Sequence, residues 1–137
     1  MVLDTFQRPL RNLRLSVTGR CNLRCRYCMP AEGMRWLGRR ELLSDDELVR
    51  VVRLFASLGV TELRITGGEP LVRPGLPALV GRLRATEGIG EIAMTTNGVL
   101  IGGSIDALVE AGLDRINVSI DSLDPERFKA ITRRDDL

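Results

Sequence analysis

Every cysteine of the chain lies in one stretch, Cys21-Asn22-Leu23-Arg24-Cys25-Arg26-Tyr27-Cys28, in the pattern C-x₃-C-x₂-C. Three thiolates so close in one loop can hold a single inorganic centre. A structural zinc site takes four protein ligands, drawn mainly from Cys and His. The chain has no His, so a closed zinc site needs a carboxylate or a second chain to finish it. A [4Fe–4S] cluster normally takes four Cys. Three Cys without a fourth point to a cluster with one iron left open, and an open metal position is where chemistry happens. The plainer readings are a disulfide with a spare thiol, or three ordinary buried cysteines. An odd count in one loop fits a disulfide framework poorly.

Three further stretches carry polar chemistry: Gly67-Gly68-Glu69-Pro70, Thr95-Thr96-Asn97-Gly98 and Ser119-Ile120-Asp121-Ser122. The two glycines let backbone approach a ligand closely, and Glu69 can accept hydrogen bonds from an ammonium group. Its acidity argues against a phosphate loop, which wants Lys and a helix N-terminus. A plain strand-ending turn and an Asn-Gly turn are the bland alternatives for the first two. Tyr27 and Trp36 read equally well as packing aromatics, and Met29 and Met94 as core or lining residues.

The elements that must position these groups follow from periodicity. Leu13 to Val17 alternates as a strand, and the cysteine loop follows directly. Met29 to Arg40 is aperiodic. Ser44-Asp45-Asp46-Glu47 is a capping box, with Leu43 and Leu48 placed as a hydrophobic staple. Leu48, Val51, Val52, Phe55 and Leu58 keep helical spacing up to Gly59. A second strand covers Glu62 to Thr66, and Leu76, Leu79, Val80 and Leu83 mark a second helix. A third strand runs from Glu91 to Thr95. Ser104 is placed to cap a short helix bearing Ile105, Leu108 and Val109. A fourth strand, Arg115 to Ile120, precedes Asp124-Pro125, an N-cap with proline at the first helical position. The order is (βα)₄, which implies an α/β fold: a parallel sheet with helices outside, as in part of a TIM-like barrel. All four polar loops then fall at the strands' C-terminal ends, where such folds place reactive groups.

The strands alternate where fully buried parallel strands read as continuous apolar runs. Leu13, Leu15, Val17, Leu63, Ile65, Ile92, Met94, Ile116, Val118 and Ile120 make one face, expected to meet the helices. Arg14, Ser16, Arg64, Thr66, Thr95, Asn117 and Ser119 make the other, a polar interior fit for a ligand. A guanidinium facing it needs an anion or water. Arg14 and Arg64 either bind an anionic, phosphate-bearing substrate or pair with Glu69, Asp121 or another local carboxylate.

The totals restrict the rest. At 137 residues, 44% hydrophobic and 28% charged, the chain is one domain's worth of globular protein, residues 1–137 forming a single core. It has no signal-like N-terminus and no bilayer-spanning run. Loop cysteines without a signal peptide point to a reducing, cytoplasmic setting. A net charge of +2 is too small to argue for nucleic acid.

The cysteine spacing, with an aromatic before the last Cys and a GGE after the second strand, resembles the radical S-adenosylmethionine (SAM) superfamily. The longer runs RPLRNLRLSVTGRCNLRCRYCMPAEG, ELRITGGEPLVRPGL, MTTNG and DRINVSIDSLDPERF resemble the GTP 3′,8-cyclases that begin molybdopterin synthesis. That resemblance implies a [4Fe–4S] cluster on Cys21, Cys25 and Cys28, with SAM on the fourth iron and its reductive cleavage to a 5′-deoxyadenosyl radical. Tyr27, Gly67, Gly68, Glu69 and Ser119 would face SAM. Arg14, Arg64 and Thr95 would face GTP, whose ribose gives up a hydrogen. It further implies a reductant protein or small electron donor, no nucleic acid or membrane partner, and a full-length protein compatible with a homodimer.

Two departures accompany the resemblance. Gly19 stands where the family usually has Asp, which would loosen the turn entering the cysteine loop. The family's barrel continues past four βα units and carries three further Cys for a second cluster. The chain is therefore expected to be an N-terminal fragment that binds the first cluster but does not complete cyclisation. The competing readings are another radical SAM enzyme (peptide-maturing or haem-pathway), a non-catalytic zinc or interaction module, and a truncated remnant.

Overall fold

The computed structural model describes residues 2–135 and 137. Four strands alternate with four helices: β1 (Asn12–Ser16), α1 (Asp45–Ser57), β2 (Glu62–Thr66), α2 (Leu76–Arg84), β3 (Glu91–Thr96), α3 (Ile105–Glu110), β4 (Arg115–Val118) and α4 (Pro125–Thr132). The strands pair in parallel in the order β1-β2-β3-β4. That is the (βα)₄ order expected from the alternation of periods.

Local chemistry starts the helices. Glu47 N–H donates to Ser44 Oγ at 3.3 Å while Ser44 N–H donates to Glu47 Oε2 at 2.8 Å, the reciprocal capping box at the head of α1. Asp124 Oδ1 accepts the Arg127 N–H at 2.9 Å and Pro125 opens α4. Ser104 differs from expectation, since its side chain caps nothing. The chain enters α3 from a 3₁₀ turn, Ile101–Gly103, which leaves Ser104 at φ −134°.

Helices α1 to α3 cover one face of the sheet. Leu63, Ile65, Ile92 and Met94 are buried there against Val52, Leu79, Val80, Leu83 and Leu108. Each such side chain contributes roughly 1.5–3 kcal/mol by leaving water. The fourth unit departs from the pattern. Val118 and Ile120, expected to meet a helix, remain 54% and 43% exposed. The helix that follows them lies elsewhere: Phe128 of α4 packs with Leu23 and Cys25 in a second, separate cluster.

Candidate active site

The pairing of β1 with β2 runs on beyond both strands. Val17 N–H reaches Thr66 O at 2.9 Å, Gly68 N–H reaches Thr18 O at 2.8 Å, and Glu69 N–H reaches Arg20 O at 2.8 Å. The Gly-Gly-Glu turn is thereby laid against the root of the cysteine loop. A Cβ on Gly67 would come within 2.6 Å of Thr18 O, and one on Gly68 within 2.6 Å of Gly19 O. The close approach that these glycines permit is to the chain's own backbone. Gly19 has open space where a side chain would go, and the turn is held by Arg20 N–H donating to Thr18 Oγ1 at 3.1 Å.

Glu69 is buried, at 1% exposure. Its Oε1 accepts from Leu71 N–H at 3.0 Å and Thr96 Oγ1–H at 2.7 Å, and its Oε2 from Asn97 N–H at 2.7 Å. The carboxylate ties the loop after β2 to the loop after β3. Asn97 passes the link on, its side-chain amide donating to Asn22 Oδ1 at 2.8 Å and lying 3.9 Å from Cys21 Sγ. Sequence reasoning missed Asn22 and Asn97 as positioning groups. Their signal was two amides at loop positions beside the cysteines and beyond β3.

The far side of the cysteine loop is held by α4. Arg24 N–H donates to Thr132 O at 2.9 Å and Arg26 N–H to Ile131 O at 3.0 Å. The Arg133 guanidinium donates to Arg24 O at 3.0 Å and Met29 O at 2.9 Å. Tyr27 reaches the loop after β4, its hydroxyl donating to the Asp121 carboxylate at 3.0 Å. Partial desolvation, and then that carboxylate, hold the phenol above its ordinary pKa. Trp36 stacks near Arg24, its ring centroid 5.4 Å from the guanidinium carbon.

The three thiols are unbridged: Cys21 half-buried, Cys25 buried, Cys28 exposed. Desolvation raises the pKa of Cys21 and Cys25 above the usual thiol value. Among the described residues, no three His, Cys, Asp or Glu side chains converge on one metal-ion position. A polynuclear cluster asks for something else, because each thiolate binds a different iron and the sulfurs stand further apart. Cys21 Sγ already accepts Leu23 N–H at 3.4 Å, the kind of hydrogen bond that tunes cluster sulfur ligands. Three free sulfurs on a loop anchored at both flanks fit a thiolate-held iron–sulfur cluster.

On the sheet face away from the helices, register sorts the polar residues into rows. Arg14 stands beside Arg64, followed by Ala93 and Arg115. Arg115 is paired with Glu91 at 2.5 Å. Among the described residues Arg14 and Arg64 enter no salt bridge. The carboxylates weighed as their partners are committed: Glu69 to the loops, Asp121 to Tyr27, and nearby Glu62 accepts from Asn12 at 2.9 Å. Adjacent like charges without a counter-ion disfavour a sheet, and with Arg14 exposed and Arg64 half-buried both guanidinium groups stand open to solvent. The next row toward the cysteine loop pairs Ser16 with Thr66 and Thr95 with Asn117. Ser119, one residue past β4, is exposed and holds Thr96 O through its N–H at 2.8 Å. The four strands leave this polar face open. Two clefts, of about 570 and 610 Å³, are lined respectively by residues such as Arg24, Trp36 and Arg133 and by Thr18, Arg20 and Arg73, with none of Arg14, Arg64 and Thr95 in either.

Comparison with known proteins bears on this arrangement. The chain is 52% identical to the GTP 3′,8-cyclase of Streptomyces coelicolor over 98% of its length, and 53% identical to GTP 3′,8-cyclase 1 of Mycobacterium tuberculosis over 97%. It spans only 40% and 38% of those relatives. Among solved structures, Streptococcus suis SuiB bound to its precursor peptide SuiA superposes with a TM-score of 0.69, at 22% identity, over 91% of this chain and 27% of SuiB. The SuiB structure bound to S-adenosylmethionine gives 0.65 at 21% identity, over 91% of this chain and 28% of SuiB. These two likenesses concern the fold alone. The Radical SAM superfamily model matches residues 15–137, from the middle of β1 through all three cysteines and the Gly-Gly-Glu turn, and the chain belongs to that superfamily.

Proposed function

We propose that this chain is the cluster-bearing part of a GTP 3′,8-cyclase of molybdenum-cofactor biosynthesis, working in a reducing cytoplasm. Residues 1–137 would be the N-terminal portion of a longer radical SAM barrel, unable to complete cyclisation alone. The observation that carries the substrate is the Arg14–Arg64 pair, two guanidinium groups side by side in register and in no salt bridge among the described residues. Two such groups offer bidentate donors to a triphosphate, which neutralises both charges at once. Thr95 lies on the same face, nearer the cysteine loop, with a hydroxyl able to orient the nucleoside. Relatives of about 50% identity that carry this activity support the same reading.

Cys21, Cys25 and Cys28 would hold the [4Fe–4S] cluster, which with bound SAM supplies a one-electron, carbon-radical route to hydrogen abstraction. The protein's own part is placement. Glu69, Asn97 and Asn22 fix the loops around Cys21, and Glu69 Oε2, which accepts the Asn97 N–H, is the carboxylate oxygen that would meet the SAM ammonium group. Tyr27, Gly67, Gly68 and Ser119 line the rim where SAM would lie, the glycines chiefly by letting that rim close on itself. An external reductant must supply the electron.

The test is GTP binding to anaerobically reconstituted protein. Arg14→Ala and Arg64→Ala should each weaken GTP by about tenfold, the size of one lost charge-assisted contact, with iron content unchanged. Equal affinity in parent and variants overturns the assignment of GTP to this face. SAM consumption stimulated by a peptide and not by GTP would move the chain to the peptide-modifying branch.

A further inference from the structure

We propose that Arg133 is a positioning residue for the metal-holding loop: its guanidinium bridges the two carbonyls that bracket Cys25 and Cys28. The metal part of this inference rests on the radical SAM reading; the bridging itself does not. Arg133 sits at φ +57°, one of two non-glycine residues at positive φ among those described. An arginine is strained in that left-handed region, and such strain persists where the surroundings fix it. Here the backbone ends α4, with Arg133 N–H on Lys129 O at 2.9 Å. The left-handed turn throws the side chain back over the cysteine loop. One guanidinium nitrogen then meets Arg24 O at 3.0 Å and Met29 O at 2.9 Å.

The residues between those carbonyls include two of the three sulfur ligands. Beside the bridge, the amides of Arg24 and Arg26 are taken by Thr132 O and Ile131 O, and Phe128 packs on Leu23 and Cys25. Arg133 closes this clamp from outside. In a structural role alone, a residue better suited to positive φ would serve at least as well, and glycine is that residue.

Arg133→Gly therefore separates the two roles, because it relieves the backbone while removing the guanidinium. In the iron-free chain, amide exchange at Arg24 and Arg26 should quicken by about tenfold, as expected for loss of hydrogen bonds on a local opening unit, with the thermal midpoint no lower than the parent's. After anaerobic reconstitution, Arg133→Gly should retain less iron and sulfide per chain, and Arg133→Lys should recover part of both losses. Parent-like exchange and iron content in Arg133→Gly overturn the proposal. Faster exchange spread through β1 to β3 also overturns it, since it marks a merely structural residue. A parent chain that takes up no iron overturns the radical SAM reading and the metal part of the inference together, while the exchange result still judges the bridge.

Discussion

The β1–β3 half of the sheet and its β4 end solve the same problem in opposite ways. In the first, each strand's apolar side is sealed by the helix that follows it, and Ile65, Ile92 and Met94 lose all contact with water. At β4 the following helix turns away, leaving Val118 half exposed and Leu123 at 83%, and closes over the cysteine loop. The difference teaches that a repeated βα order fixes which elements exist, while the surface a helix covers is decided by where the most apolar area can be buried. Leu23, Cys25 and Val99 compete with the outer face of β4 for Phe128, and they win.

The contrast can be broken from either side. Met94→Ala removes a side chain from the sealed half and should cost about 2–5 kcal/mol in denaturant unfolding of the whole sheet. Phe128→Ala opens a smaller cluster and should cost about 3 kcal/mol, the low end for a buried Phe. Its signature is local, with the thiols of Cys21 and Cys25 alkylated several-fold faster while exchange in β2 and β3 stays slow; uniform loss across the sheet would erase the distinction between the two regions. Gly68→Ala forces a methyl onto the Gly19 and Arg20 carbonyls and should cost roughly 1–3 kcal/mol, together with iron retention after reconstitution. Ser44→Ala, in the sealed half but exposed, should cost about 1 kcal/mol by thermal melting.

That last site also carries a pH signature. Hydrogen bonds from the Ser44 N–H and hydroxyl hold the Glu47 carboxyl below its ordinary value. A depressed carboxyl pKa adds stability above the unfolded value that is lost as the pH falls through the folded one. The parent should therefore lose α1 stability on acidification below the usual glutamate range, and Glu47→Gln should flatten that dependence. The thiols behave oppositely. Burial raises the thiol pKa of Cys21 and Cys25, so raising the pH through the thiol range should destabilise the metal-free loop, read as a falling thermal midpoint.

Much of this was legible in the residues. Alternation in β1 to β3 separated the Leu63–Met94 face from the Arg14–Thr95 face, because side-chain direction in a strand follows from parity alone. The capping box at Ser44 named the start of α1, since both partners lie within one turn. The destinations of longer-range groups were not legible. Glu69 announces that it accepts hydrogen bonds but not from whom, and its donors come from β3's end. Gly67 and Gly68 record a close approach without saying to what. Phe128 and Ile131 keep helical spacing after Asp124-Pro125, but period cannot choose between a sheet and a loop as the surface they cover. Arg133 was silent for the same reason: nothing local marks a left-handed arginine.

The backbone ladder that continues past β1 as far as Arg20 O has a consequence for how a metal enters. Between that last rung and the Arg24 amide lie only Cys21, Asn22 and Leu23, and these are held by side chains: the Arg24 guanidinium donates to Cys21 O at 2.7 Å and Leu23 O at 2.8 Å, and Asn97 tethers Asn22. A ligand loop so short of slack gives up little disorder when it closes on a metal, so the bond energy of the incoming ion goes almost wholly into affinity. Lengthening that span by a single inserted residue should weaken metal capture even though every sulfur is still present.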